Sequence, residues 1–255
     1  MRKWWLPLML NLALAAASGW WFREPLLDHW HDLTRRIELG PEIRPDPATY
    51  AVLTRELERS RIELAARHRK AGNAAGRQAV EAEARRVLEA NLPAMMRCWL
   101  GTPWDFHGTA KGPGAGKIAC GYFVATVLKD AGFRVDRYQL AQQASENILR
   151  SFLAKEACVL TVGEDYQAFA ARIGLSAQGV YVVGLDTHVA FLVVDGSGFR
   201  FIHSSGSRPW CVVDESRAEA GVLQRSKWRM VGHLTGDRGV IRRWLQGAGI
   251  VVRGA

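Results

Sequence analysis

Residues 188–204 read His188-Val189-Ala190-Phe191-Leu192-Val193-Val194-Asp195-Gly196-Ser197-Gly198-Phe199-Arg200-Phe201-Ile202-His203-Ser204. Two runs rich in β-branched and aromatic residues flank Asp-Gly-Ser-Gly, the composition of a tight turn between antiparallel strands. With Asp195 opposite Gly198, Ala190 falls opposite His203, and His188, two residues from Ala190, points to the same face. That face otherwise carries Leu192, Val194, Phe199 and Phe201. Two imidazoles on an apolar face need polar partners, and a slip of one residue would send them to opposite faces. A lone histidine here would read as structural; the pair reads as two groups able to cooperate.

Upstream, Cys120-Gly121-Tyr122-Phe123-Val124-Ala125-Thr126-Val127-Leu128 is an apolar stretch closing with Gly132, and Gly112-Pro113-Gly114-Ala115-Gly116 precedes it as a loop. The stretch reads as a helix, with a second helix expected at about Leu140–Leu153 and β-like runs at Val159–Val162 and Val180–Val183. Helices first and an antiparallel sheet afterwards describe an α+β domain, here residues 97–255. Its last part, from Ser216 with Trp228 and Trp244, carries no assigned task. Leu53, Leu57 and Leu64, then Val80, Val87, Leu88 and Leu92, recur at helical spacing on either side of Gly72 and Gly76. Residues 48–96 are therefore expected to form a helical hairpin that covers the following domain, with Arg55, Arg59, Arg67, Arg69 and Lys70 on its outer faces. Residues 23–47, with Pro25, Pro41, Pro45 and Pro47, read as a linker.

Residues 1–22 begin with Arg2 and Lys3, continue through an apolar run from Trp4 to Ala17, and include Trp pairs at 4–5 and 20–21. This is the pattern of a signal peptide or of a single membrane anchor with interfacial aromatics; in both cases the rest of the chain is exported, to the periplasm or cell envelope. No cysteine lies near the cleavage-site pattern, which argues against a lipid-anchored form. The net charge of +9 over 255 residues suits an anionic cell-wall polymer or membrane surface. Basic residues are scattered and no nucleic-acid motif is present, which argues against a nucleic-acid partner.

Cys120 stands at a loop-to-helix junction, where free backbone N–H groups and the helix dipole favour a thiolate. A cysteine followed far downstream by histidines is the order expected of a papain-like cysteine hydrolase. Four cysteines in an exported chain also allow two disulfides among Cys98, Cys120, Cys158 and Cys211, which would silence Cys120; with Cys120 free, at most one bridge remains. Spacing leaves that choice open. No Cys-x-x-Cys or metal-ligand cluster is present, and no metal or organic cofactor is called for.

Gly101-Thr102-Pro103-Trp104-Asp105-Phe106-His107-Gly108 followed by Cys120 at the head of a helix resembles the opening motif of the NlpC-type cell-wall cysteine peptidases. Arg137 and Gln142 match an Arg and Gln five residues apart in that family. His188-Val189-Ala190-Phe191 and Phe201-Ile202-His203-Ser204 are similar to its His-Val-Gly-Ile and Phe-Ile-His-Ala segments. The resemblance covers roughly residues 98–205 with the motifs in order. It implies a papain-like domain whose nucleophile helix packs on an antiparallel sheet, a catalytic set of Cys120, His188 and His203, and peptidoglycan stem peptides as substrate, cut at a γ-D-glutamyl-diamino-acid bond. The chain departs from the family in having Ala119-Cys120-Gly121-Tyr122 where Asp-Cys-Ser-Gly is usual, and Trp104 where tyrosine is usual.

In the mechanism so implied, Cys120 attacks an amide carbonyl as a thiolate paired with His188 as imidazolium, His203 orients His188, and the Cys120 N–H receives the oxyanion. Trp104 and Phe106 are substrate-binding candidates for the floor of the cleft, and Arg137 for holding a substrate carboxylate. The alternatives are acyl transfer, hydrolysis of another amide or ester by the same residues, and a non-catalytic cell-wall-binding protein of the same fold.

Overall fold

The structure, a computed structural model, describes residues 43–255; the segment read above as signal peptide or anchor, and most of the linker, lie outside the described residues. Two helices come first, α1 (Pro47–Lys70) and α2 (Ala74–Arg97). Asp46 caps α1 by accepting from the Thr49 N–H at 2.9 Å, with Pro47 at the first helical position, and Asn73 caps α2 by accepting from the Gly76 N–H at 2.7 Å. This is the expected hairpin, and Arg67 on α1 holds Glu83 on α2 through two 2.7 Å hydrogen bonds.

The remaining chain runs α3 (Cys120–Asp130), β1 (Arg134–Val135), α4 (Arg137–Ala141), α5 (Ser145–Phe152), β2 (Cys158–Val162), α6 (Tyr166–Gly174), β3 (Gly179–Leu185), β4 (Val189–Asp195), β5 (Gly198–Ser204), β6 (Val212–Ser216), α7 (Gly221–Arg225), β7 (Trp228–His233), α8 (Arg238–Gln246) and β8 (Gly249–Ile250). Strands β2 to β7 form one six-stranded antiparallel sheet in the order β2-β7-β3-β4-β5-β6, and β1 pairs with β8. The fold is α+β.

Both faces of the sheet are covered. On one, Val180, Val182, Phe191, Ile202 and Met230 pack with residues of α1, α2, α3, α5 and α8; on the other, Tyr181, Val183, Leu192, Phe201 and Val231 pack with Phe169 and Ile173 of α6 and Leu223 of α7. Side chains alternating between two cores explain why every residue of β3 is buried.

The single helix expected at 140–153 is two, α4 and α5, broken at residues 142–144. The break lets the backbone at Ala141 approach α3 so closely that a Cβ on Gly121 would lie 2.4 Å from the Ala141 carbonyl oxygen. A side chain at position 121 cannot fit here. The C-terminal stretch left unassigned from sequence supplies β7, inserted between β2 and β3 in the sheet, and α8, whose Trp244 is buried and donates from Nε1 to the Ala131 carbonyl at 2.7 Å.

The hairpin is locked to the body by Glu81 of α2, which is buried and accepts hydrogen bonds from Arg238 and Arg242 of α8 at 2.7 Å each and pairs with His68 of α1 at 3.3 Å. Burial raises the pKa of the Glu81 carboxyl, but the hydrogen bonds from Arg242, Arg238 and His68 outweigh it and hold the group at about 2. The ion pairs therefore add stability above the unfolded carboxyl pKa, and this is lost as pH falls toward about 2. Glu81→Ala should destabilise the protein by about 2–3 kcal/mol, below the full cost of breaking a buried pair because the two arginines are partly solvated; denaturant titration of the two proteins measures it.

Candidate functional site

Cys120 is the first residue of α3, and the residue before it, Ala119, offers no side-chain cap. The N–H groups of the first helical turn, normally satisfied by a Ser, Thr, Asp or Asn cap, are left to other partners. The N–H groups of Val189, Gly121 and Cys120 itself lie against the sulfur and favour its thiolate.

The loop before Cys120 is pinned from several sides. The Ser204 hydroxyl, next to His203, donates to the Ile118 carbonyl at 2.7 Å, the Ile118 N–H donates to the Pro103 carbonyl at 2.9 Å, and the Ala119 N–H donates to the Gly108 carbonyl at 2.9 Å. The Gly101–Trp104 segment in turn lies along the start of β6, with the Gly101 N–H donating to the Val212 carbonyl and the Val212 N–H to the Thr102 carbonyl.

The histidines meet as the hairpin register requires. Asp195 pairs with Gly198 and Phe191 with Ile202, which leaves Ala190 and His203 next along the ladder. His188 sits in the β3–β4 turn, closed by the Leu185 N–H donating to the His188 carbonyl at 2.8 Å. Asp186 fixes that turn by accepting from the Ser226 hydroxyl and from the Lys227 and Trp228 N–H groups. His188 Nε2 lies 2.8 Å from His203 Nδ1, with the rings edge-on. Cys120 and His188 line one cavity of about 780 Å³.

One member of this chain of contacts is absent from the sequence reading. Glu215 of β6 places Oε2 3.2 Å from His203 Nε2. It lies two residues beyond Val213, the partner of His203 across β5 and β6, and so on the same face. That signal becomes legible only once β6 is paired with β5.

The tautomers follow from the order of partners. A carboxylate oxygen accepts, so the proton of the Glu215–His203 contact sits on His203 Nε2; with Nδ1 as its acceptor, the donor of the His188–His203 contact is His188 Nε2. His188 is left with a bare Nδ1 lone pair as its available base.

The charge state differs from the thiolate–imidazolium pair expected from sequence. Burial pushes the Cys120 thiol up, against the opposing effect of the three N–H groups. Burial, and then the nearby His203, push His188 down to about 3. Burial thus disfavours both the thiolate and the imidazolium, because an apolar surrounding penalises either ion. All four cysteines are free, so no disulfide competes for Cys120.

The other sequence candidates divide. Trp104 lines the cavity and packs on Trp210 with ring centres 5.4 Å apart; Phe106 lines it too and is largely exposed. His107 and Gln142 also border it, Gln142 donating to the Tyr122 hydroxyl at 3.4 Å. Arg137 does not reach it. This arginine is buried, donates from Nε to Thr126 Oγ1 at 2.6 Å and from Nη2 to the Ala110 carbonyl at 2.7 Å, and lies against the rings of Tyr122 and Tyr138. Its Nε and Nη2 tie α3 and α4 to the 109–110 loop while Nη1 is buried without a hydrogen-bond partner, and it lies outside the lining of the cavity that holds Cys120 and His188.

Among the described residues no group of three or more His, Cys, Asp and Glu could hold a metal ion, and no helix is long and apolar enough to cross a membrane. No family model, no curated protein and no solved structure matches the chain.

Two outcomes test this geometry. A histidine kept neutral in the fold costs stability wherever the unfolded chain would protonate it, so the melting temperature should fall as pH drops from about 6.5 toward 3. His188→Gln should flatten that slope in part, the remainder belonging to His233, which burial and the nearby Arg85 hold down to about 4, and, at the acid end, to Glu81 and the other carboxylates whose pKa the fold lowers; equal slopes in the two proteins would contradict the buried neutral imidazole. Glu215 contacts His203 at 3.2 Å and is tested as a group acting through it. Glu215→Gln should slow alkylation of Cys120 by iodoacetamide roughly tenfold, below the 10²–10⁴ range of a direct general-base contribution because Glu215 acts through His203, and displace its pH profile, with Glu215→Asp restoring part of both. A merely structural role would lower the melting temperature and leave the profile in place.

Proposed function

We propose that this protein is an exported cysteine hydrolase of the NlpC-type, papain-like class, cleaving an amide bond in peptidoglycan stem peptides. The observation that carries the reading is the cavity shared by Cys120, at the uncapped start of α3, and His188, whose Nε2 contacts His203 at 2.8 Å. A thiol, a base and an orienting partner in series are the parts that nucleophilic catalysis requires. The order of motifs along the chain supports the family, and the basic charge supports an anionic polymer as the setting.

In this mechanism the thiol proton passes to His188 Nδ1 as the sulfur attacks the carbonyl carbon. Ion formation accompanies bond formation, because the resting pair is neutral. The His188 ring is held in place throughout by the contact of its Nε2 with His203 Nδ1, and His203 in turn by Glu215. The free N–H groups at the start of α3 face the developing oxyanion. His188 then protonates the departing amine, a thioester remains on Cys120, and water activated by the same nitrogen releases the acid and restores the thiol. Trp104 and Phe106 flank the substrate, which suits a peptide lying across an aromatic wall.

The test is digestion of purified peptidoglycan by the full-length chain and by its Cys120→Ala variant, with released fragments read by mass spectrometry. The expected result is peptide fragments from the wild type alone, their termini identifying the bond. No release from either protein would overturn the peptidoglycan assignment and leave acyl transfer, another amide or ester, or wall binding without catalysis.

A further inference from the structure

Resting on the reading of Cys120 as the attacking thiol, we propose that Arg225 is the carboxylate-binding residue of the cleft, and that the substrate carries a free carboxylate near the bond that is cut. Arg225 closes α7 and lines the same cavity as Cys120 and His188. It also borders a smaller depression of about 240 Å³ that shares Thr187, His188 and Val222 with the larger cavity. Among the described residues lining the larger cavity it is the single guanidinium or ammonium group, and no carboxylate lines that cavity.

The arginines elsewhere that approach the core are committed. Arg137 is held by Thr126 and backbone carbonyls, and Arg229 by the carbonyls of Leu223, Glu164 and Gln224. Arg225, by contrast, is exposed, and among the described residues no hydrogen bond or ion pair engages it. The nearest candidate for pairing is Asp186, which borders the smaller depression. Its oxygens already accept from the Ser226 hydroxyl and from the Lys227 and Trp228 N–H groups. The side chain lies back over Gly221, where a Cβ would come within 3.1 Å of Nη1.

A guanidinium on a solvated surface is ordinary. One without an internal partner, on the wall of an acid-free cavity that holds a nucleophile, is electrostatically complementary to an anion, and its planar fork fits a carboxylate in two parallel hydrogen bonds. Carboxylate recognition, assigned to Arg137 from sequence, thus passes to a residue more than eighty positions downstream.

The proposal is tested on the full-length chain with two alkylating probes that differ in charge. Iodoacetate and iodoacetamide each form a carbon–sulfur bond at Cys120 with loss of iodide, the thiol proton leaving to the base. Site-resolved mass spectrometry separates Cys120 from the free Cys98, Cys158 and Cys211. The ratio of the iodoacetate rate to the iodoacetamide rate at Cys120 should fall several-fold in Arg225→Gln, recover in Arg225→Lys, and in the wild type decline as added salt screens the charge. An unchanged ratio in Arg225→Gln would overturn the proposal, as would a parallel fall of both rates, which marks a structural role. The ratio is readable whether or not peptidoglycan is cut, so loss of the peptidoglycan assignment leaves it standing. A Cys120 that neither reagent modifies would instead overturn the reading of Cys120 as nucleophile, and this proposal with it.

Discussion

The pairing of Asp195 with Gly198 sets β4 against β5, and through that register the backbone brings His188 Nε2 to 2.8 Å from His203 Nδ1. The strand period of two makes the arrangement all-or-none: displaced by one residue, each histidine would enter the core on the opposite face. Everything else at the site is fastened to this hairpin. Ser204 reaches from β5 to the Ile118 carbonyl and fixes the loop that ends in Cys120, while the Val189 N–H, at the start of β4, touches the sulfur. Cys120 and the two histidines come from distant parts of the chain but are held in one unit, and under the proposed function that is the condition for holding reacting groups in place without repeated entropic cost.

Burial then decides how the site ionises. The thiol and the imidazole are surrounded by aromatic and aliphatic side chains, and both ions are penalised there. A preformed ion pair would need compensating polar neighbours such as the Asp and Ser that flank the nucleophile in the family this chain resembles. Here Ala119 and Gly121 stand in their places, and Gly121 is required by the carbonyl of Ala141. The polar partners of His188 lie in series, His203 against its Nε2 and Glu215 beyond, where they select its tautomer.

The hairpin of α1 and α2 contributes to this rigidity from a distance. Its leucines enter the same core as Phe123 and Phe191, beneath the nucleophile helix, and Glu81 couples it to α8. It is part of the domain's packing as much as a cover on it, since the core on that face of the sheet is incomplete without Leu57, Leu64, Leu88 and Leu92.

What the sequence determined by itself is local. The alternation in residues 188–204 and its Asp-Gly-Ser-Gly turn specified the hairpin and its register; the leucine spacing specified α1 and α2; the apolar run after Cys120 specified α3. Each is a short-range pattern with one stable solution. Tertiary structure alone placed β7 between β2 and β3, for its run Trp228–His233 holds a buried Arg229 and shows no clean alternation. It also divided α4 from α5, buried Arg137, and brought Glu215 to His203 and Arg225 to the cavity walls shared with His188. The neighbours of these residues are set by strand order and by helices packing across the sheet, contacts between positions far apart in the chain that no local period encodes.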